Sequence, residues 1–117
     1  MSAESIVYAA LNVVGVTTHV GSNICAAILP QGRKLPAIVY VRTGTENTTT
    51  IHSAAPVASL VTMDIWCIAE SFAKAEDIAD AAEVAMVPVV GYPVDRRQEV
   101  DPETEALITI LTYNIWT

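Results

Sequence analysis

The chain has 117 residues, which suits one domain and is too short for two well-packed ones. Apolar residues make up 52% of the sequence and are spread along its whole length, so we expect a compact core. The 13 acidic residues outnumber the 6 Lys and Arg, for a formal net charge of −7. This charge repels phosphates and argues against tight binding to nucleic acids or anionic membranes.

No part of the sequence reaches the roughly 18 apolar residues of a membrane helix, because polar or charged residues interrupt every run. Residues 1–4 lack the basic start of a secretory signal. We therefore expect a protein that does not span a membrane and is made in the cytoplasm. Cys25 and Cys67 lie in apolar runs, without metal-ligand spacing. They are predicted to be reduced core residues, with a disulfide as the alternative.

The first part of the chain predicts a helix, a short strand and a loop. Apolar residues three and four positions apart indicate a helix over residues 3–14, which Gly15 ends. Residues 16–21 are predicted to be a turn, and the apolar residues 23–29 a short edge strand. Two prolines and a glycine make residues 30–36 a loop, because proline lacks the N–H group that regular structure uses.

The middle of the chain predicts an antiparallel hairpin. β-Branched and aromatic residues indicate a strand over residues 37–43, and a longer strand follows over residues 57–70. The polar residues 45–50 belong to the tip of this hairpin. Alternation sends the side chains of the longer strand to two faces. One face carries Ser59, Val61, Met63, Ile65 and Cys67, and the other carries Leu60, Thr62, Asp64, Trp66 and Ile68.

A second helix and a second hairpin complete the chain. Ser71 can cap a helix with an alanine-rich apolar stripe on one side and acidic residues on the other, and Pro88 is expected to end it. The polar residues 92–100 are predicted to be an exposed strand. The apolar residues 106–116 are predicted to be a central strand that pairs with it.

These elements predict one α+β domain over residues 1–117. Its antiparallel sheet has about four strands, with two helices packed on one face, in the order helix, strand, hairpin, helix, hairpin. The second face of the sheet would then expose Leu60, Trp66 and Ile68 as an apolar patch in a monomer. Self-association is the simplest way to cover such a patch.

The sequence contains no motif for hydrolysis, nucleotide binding or metal binding. His19 and His52 fall in predicted loops and are expected to be exposed histidines without a catalytic role. Asp64 interrupts an apolar strand, so it is either a buried functional acid or, as we expect, a partner of Arg42 or another cation across the hairpin. The acidic helix side is expected to face solvent or a partner rather than a metal. It comprises Glu76, Asp77, Asp80 and Glu83.

Three segments together resemble the small tail-completion proteins, also called tail-terminator or tail-to-head joining proteins, of long-tailed phages and gene-transfer particles. They are the helix start at residues 5–11, the segment 28–40 with its Pro-Gln-Gly and Pro-x-Ile-Val-Tyr motifs, and the strand-to-helix stretch 63–82. The resemblance covers roughly residues 4–90. Its motifs are structural signatures rather than active sites.

The resemblance implies a structural protein and not an enzyme, without cofactor or metal. It implies an α+β subunit that forms a closed six-fold ring, caps the tail tube and offers the docking surface for the head connector. The expected partners are further copies of the chain, the major tail tube protein and the head connector or neck protein. DNA would pass through the lumen without specific binding, which suits the acidic composition. The protein would reside in the virion at the tail-neck junction, after assembly in the host cytoplasm.

The residues expected at a subunit or tube interface lie on the first hairpin. They are Arg42, Glu46, Thr48, Thr49, Thr50, Asp64 and Trp66. Two other functions stay open. A head-tail adaptor in the neck would share the size, symmetry and lack of catalysis. A small-molecule enzyme would use Asp64 or His52 as its acid-base group.

Overall fold

A computed structural model describes residues 3–21, 23–27, 35–49, 56–102 and 105–116 of the chain. For residues 46–49 and 56–59 it describes the backbone alone. These parts of the chain contain three helices and five strands. In chain order they are α1 Ala3–Leu11, α2 Val14–Val20, β1 Ile24–Ala26, β2 Ala37–Thr49, β3 Pro56–Ala69, α3 Phe72–Val90, β4 Asp95–Val100 and β5 Leu107–Trp116.

The strands form one mixed sheet in the order β1-β2-β3-β5-β4. The β2–β3, β3–β5 and β4–β5 pairs are antiparallel, whereas β1 runs parallel to β2 with Cys25 opposite Val39. The class α+β is confirmed, but the prediction of about four antiparallel strands is wrong in number and in direction. The three residues of β1 carry an apolar signal that reveals a strand but not its direction.

The N-terminal region forms two helices rather than one helix over residues 3–14 followed by a turn. The chain breaks at Val13, whose backbone is extended, and the second helix includes Gly15. Glycine weakens a helix by about 1 kcal/mol relative to alanine. That cost is offset here because Val16 and Val20 are both buried in the core.

The third helix begins where the sequence predicts and ends later. The Ser71 hydroxyl accepts a hydrogen bond from the backbone N–H of Lys74 at 3.3 Å, which confirms it as the helix cap. The helix continues through Pro88 and ends before Gly91, whose backbone φ is 87°. Proline removes the bond to the carbonyl four residues earlier, and that residue, Val84, is exposed.

All three helices cover one face of the sheet and form the main core. Val7, Leu11, Ile78 and Met86 of the helices pack with Met63, Ile65, Leu111 and Tyr113 of the strands. Both cysteines are free, and Cys67 lies in this core, where burial raises the pKa of its thiol to about 12. The arrangement places a third helix on the face for which two were predicted.

The opposite face of the sheet carries a second, smaller core. Its buried members are Val39, Ile68, Ala106, Ile108 and Ile110, with Trp66 and Val41 partly buried beside them. Ile68 is 9% exposed, and Leu60 and Trp66 are half-buried. The predicted exposed apolar patch is therefore wrong at Ile68. Trp66 lies between Val39 and Ile110 on the neighbouring strands, so cross-strand packing covers much of this face.

The buried hydroxyl of Tyr113 supplies a test of the main core. It has no hydrogen-bond partner among the described residues, and burial raises its pKa. Removing an unpaired buried polar group relieves its desolvation cost, so Tyr113→Phe should leave the free energy of unfolding unchanged or raise it by up to ~1 kcal/mol. Tyr113→Ala, which also removes the ring, should lower it by ~3–5 kcal/mol in urea denaturation. A loss of more than ~1 kcal/mol in Tyr113→Phe would contradict this packing.

Candidate functional site

The first hairpin extends beyond the rest of the sheet. β5 pairs with β3 only from Leu60 onward, where Leu60 lies opposite Trp116. Beyond that point residues 56–59 pair with β2 alone, through residues 47–49. We call these two backbone segments the ribbon. At about 3.4 Å per residue, the ribbon projects ~13 Å past the end of β5.

The shape of the molecule reflects this projection. Its principal extents are 52 × 30 × 24 Å, and the Cα radius of gyration is 15.1 Å. A compact domain of this length would have a radius of gyration of about 13 Å. Two paired strands without a third strand or a packed helix are marginally stable in water. Contact with another molecule would therefore stabilise a ribbon of this kind.

Arg42 secures the middle of strand β2 to the first helix. Its guanidinium donates a hydrogen bond to Glu4 of α1 at 2.7 Å and another to the Thr45 hydroxyl at 3.3 Å. The bond from Arg42 is the main reason why the pKa of Glu4 is lowered. The predicted Arg42–Asp64 pair is therefore wrong. Arg42 lies opposite Met63 and shares its helix-covered face, while Asp64 lies opposite Val41 and points to the other face.

Asp64 is held on the opposite face by a different set of partners. The carboxylate is 7% exposed, and it accepts a hydrogen bond from the Thr112 hydroxyl at 2.7 Å. Arg97 of β4 lies 3.6 Å away and also pairs with Asp95 and Glu99. The pairing of Asp64 with another cation is confirmed, although that cation comes from the second hairpin. His19 lies on α2, across the sheet from Asp64, and His52 lies outside the described residues.

A cation contacts three of the four acids on the acidic side of α3, while Asp77 and Asp80 stay exposed as expected. Arg96 of β4 pairs with Glu76, with Asp80 at 3.0 Å and with Glu83 at 3.1 Å. Burial alone would raise the pKa of Glu76, but hydrogen bonds from Gln98, Arg96 and Thr109 outweigh it and lower the pKa. The signal in the sequence is the spacing of four and three residues between these acids, which places them on one line along the helix.

The expected interface residues do not form one patch. Arg42 lies on the helix-covered side, whereas Asp64 and Trp66 lie on the other side. Glu46, Thr48 and Thr49 belong to the distal part of β2, and Thr50 lies outside the described residues. Trp116, at the end of the predicted central strand, is 62% exposed at the root of the ribbon. It borders a groove of about 430 Å³ lined by Ile6, Val89, Val90, Asn114, Ile115 and Trp116.

Other binding features are sparse in the described part of the chain. A second groove of about 360 Å³ lies between α2 and α3, lined by Thr18, His19, Pro36, Lys74, Asp77 and Ile78. The described residues contain no group of three or more His, Cys, Asp or Glu side chains placed to hold a metal ion. Of the helices that the structure describes, none is both long and apolar enough to cross a membrane.

Comparison with known proteins identifies a similar fold. No family model and no curated protein matches the chain. Its structure is similar to that of a chain in the virion of a native gene transfer agent particle, with a TM-score of 0.71. The two chains are 15% identical, and the alignment covers 97% of this chain and 92% of the other. At this identity the likeness establishes a shared fold over nearly the whole chain.

The partners of Asp64 and Arg42 predict different effects on stability. Asp64→Ala leaves the partly buried Thr112 hydroxyl and one contact of Arg97 without an acceptor, so it should lower the free energy of unfolding by ~1–3 kcal/mol. Arg42→Ala removes a pair whose side chains are both 38% exposed, and should cost less than ~1 kcal/mol. Chemical denaturation of both variants measures this. If Arg42→Ala lost as much free energy of unfolding as Asp64→Ala, or more, the structural importance assigned to the Asp64 contacts would be wrong.

The environment of Glu76 predicts a loss of stability in acid. Its folded-state pKa lies below the usual value of 4.5, so the ionised carboxylate stabilises the fold above pH 4.5, and the contribution is lost as pH falls through the folded-state pKa. Glu76→Gln should reduce the slope of unfolding free energy against pH in this window. Asp77→Asn, an exposed neighbour on the same helix, serves as the control. Identical slopes in Glu76→Gln and the unaltered protein would contradict the prediction.

Proposed function

We propose that the chain is a tail-completion subunit of a phage-like particle. In this proposal it assembles with further copies into a closed ring, caps the end of the tail tube and offers the surface on which the head connector docks. The observation that carries the proposal is the fold shared with a virion chain over 97% of the sequence, together with a ribbon that projects from that fold. The sequence resemblance of residues 4–90 to tail-completion proteins supports the same assignment.

The ribbon supports assembly through contacts between subunits. Among the described strands, β2 alone pairs with residues 56–59, so their backbone groups on the other side could pair with a further chain. A contact between the ribbon of one copy and a different surface of the next is heterologous, and such contacts close into rings when the rotation fits. We propose a six-fold ring, as the family resemblance implies. The interface would include Arg42, Glu46, Thr48, Thr49, Thr50, Asp64 and Trp66.

The placement of charge supports a conduit that does not retain DNA. Arg42, Arg96 and Arg97 each pair with carboxylates of the same chain, so little of their charge is free to contact phosphates. The chain keeps its formal net charge of −7. A lumen lined by such a surface repels the DNA backbone and would let DNA slide through.

The surroundings of Asp64 support a structural role rather than a catalytic one. The carboxylate is 7% exposed, and Thr112 and Arg97 already occupy its oxygens. A general acid or base needs access to a substrate within hydrogen-bond reach. The geometry therefore favours a structural role for Asp64, which links β3 to β5 and β4, over a role as the acid-base catalyst of a small-molecule enzyme.

Shortening the ribbon tests the proposal. Glu46 and Leu60 lie directly opposite each other, so residues 47–59 can be replaced by Asn-Gly, which forms a two-residue hairpin turn. The shortened chain should keep its helical circular dichroism signal and a cooperative unfolding transition, because the described members of both cores lie outside the deleted segment. It should no longer co-sediment with purified tail tubes, to which the unaltered chain should bind.

The same assay separates the alternatives. Binding of the unaltered chain to DNA-filled heads that carry a connector, without binding to tubes, would favour a head-tail adaptor in the neck. Binding to neither particle would contradict a role at the tail end. Full tube binding by the shortened chain would contradict the role proposed for the ribbon.

A further inference from the structure

Strand β4 is attached to the sheet in a different way from the other long strands. Five of its six residues are exposed, and Arg96 alone is partly buried. Even Val100, its apolar residue, is 51% exposed. Its neighbour β5, by contrast, is buried over residues 108–111. Burial of apolar side chains therefore contributes little to holding β4 in place.

Charged contacts of Arg96 hold one side of β4. The guanidinium spans from the strand to α3 and contacts three carboxylates there, those of Glu76, Asp80 and Glu83. Gln98, two residues along the same strand, donates a hydrogen bond to Glu76 at 2.7 Å. The attachment of β4 to the helix layer thus depends on one cation and one amide.

Charged contacts of Arg97 hold the other side. Its guanidinium lies 3.6 Å from Asp64 of β3 and 3.4 Å from the Thr112 hydroxyl of β5. It also pairs with Asp95 and Glu99 on its own strand. Two adjacent arginines therefore clamp β4 on opposite faces of the sheet, which follows from the alternation of side chains along a strand.

We propose that β4 is a releasable edge strand: apart from its backbone pairing with β5, it is held chiefly by the ion pairs of Arg96 and Arg97, and it opens more often at high ionic strength while the other strands and the helices stay folded. Screening supplies the mechanism, because the Debye length falls from ~10 Å at 0.1 M to ~3 Å at 1 M salt. Release opens the backbone N–H and C=O groups of the β5 edge to pairing with another strand. The remaining sheet keeps both of its apolar cores, to which β4 contributes no member.

Native-state hydrogen exchange of the whole chain, followed by NMR at ~0.05 M and ~1 M sodium chloride, tests the proposal. The amides of Asp95–Val100 should exchange about tenfold faster in high salt, as expected for the loss of a few partly exposed ion pairs. Amides of β3 should not accelerate, because high salt also relieves the repulsion caused by the net charge of −7. Exchange of the β4 amides at the same rate in low and high salt, or an equal acceleration of β3 and β4 amides, would overturn the proposal.

A matched pair of variants separates the clamp from a general effect of charge. Arg96→Met keeps an apolar side chain of similar length and removes the cation, and should accelerate β4 exchange about tenfold in low salt. Arg42→Met removes the cation of the Glu4 pair and should leave β4 exchange unchanged. Unchanged β4 exchange in Arg96→Met would overturn the role of the clamp. If that variant does not fold, the salt dependence of the unaltered chain still decides the proposal.

Discussion

The central strand β3 is the constraint on which the rest of the structure depends. Met63 and Ile65 point toward the helices, while Ile68 belongs to the smaller core on the other face. Each face of β3 therefore contributes buried side chains to one of the two cores. A register slip of one residue would exchange the faces and move Asp64 under the helices, away from Thr112. The alternation of this strand fixes the positions of β2 and β5, and through them the direction of the ribbon.

Ion pairs attach the peripheral elements of the fold, which lie outside the two apolar cores. Arg42 pairs β2 with α1, and Arg96 and Arg97 pair β4 with α3 and with β3. The result is a stable centre with two peripheral strand elements: the ribbon, which projects beyond β5, and β4, most of whose side chains are exposed. Such elements are the ones that a subunit can use to contact neighbours without risk to its fold. The same fold occurs in a chain of the gene transfer agent virion.

The sequence predicts the elements that have a strong local signal. Strand β3, the cap at Ser71 and the exposed strand β4 all follow from alternation, capping chemistry and polarity. It does not predict features that tertiary contacts decide. Burial of Val16 and Val20 stabilises the second helix although it contains Gly15. The parallel direction of β1 has no local signature in the sequence. The sequence predicted a cation beside Asp64 but not which one, and it missed the pairs of Arg42 with Glu4 and of Arg96 with α3, because these pairs join residues far apart in the sequence.

The most direct test of the proposed assembly is the mass of the purified chain in solution, measured by light scattering over a range of concentrations. A ribbon that contacts a neighbouring copy predicts a mass that rises with concentration to a defined multiple of 12.5 kDa. A mass of 12.5 kDa at every concentration, with and without tail tubes present to nucleate a ring, would contradict self-assembly through the ribbon.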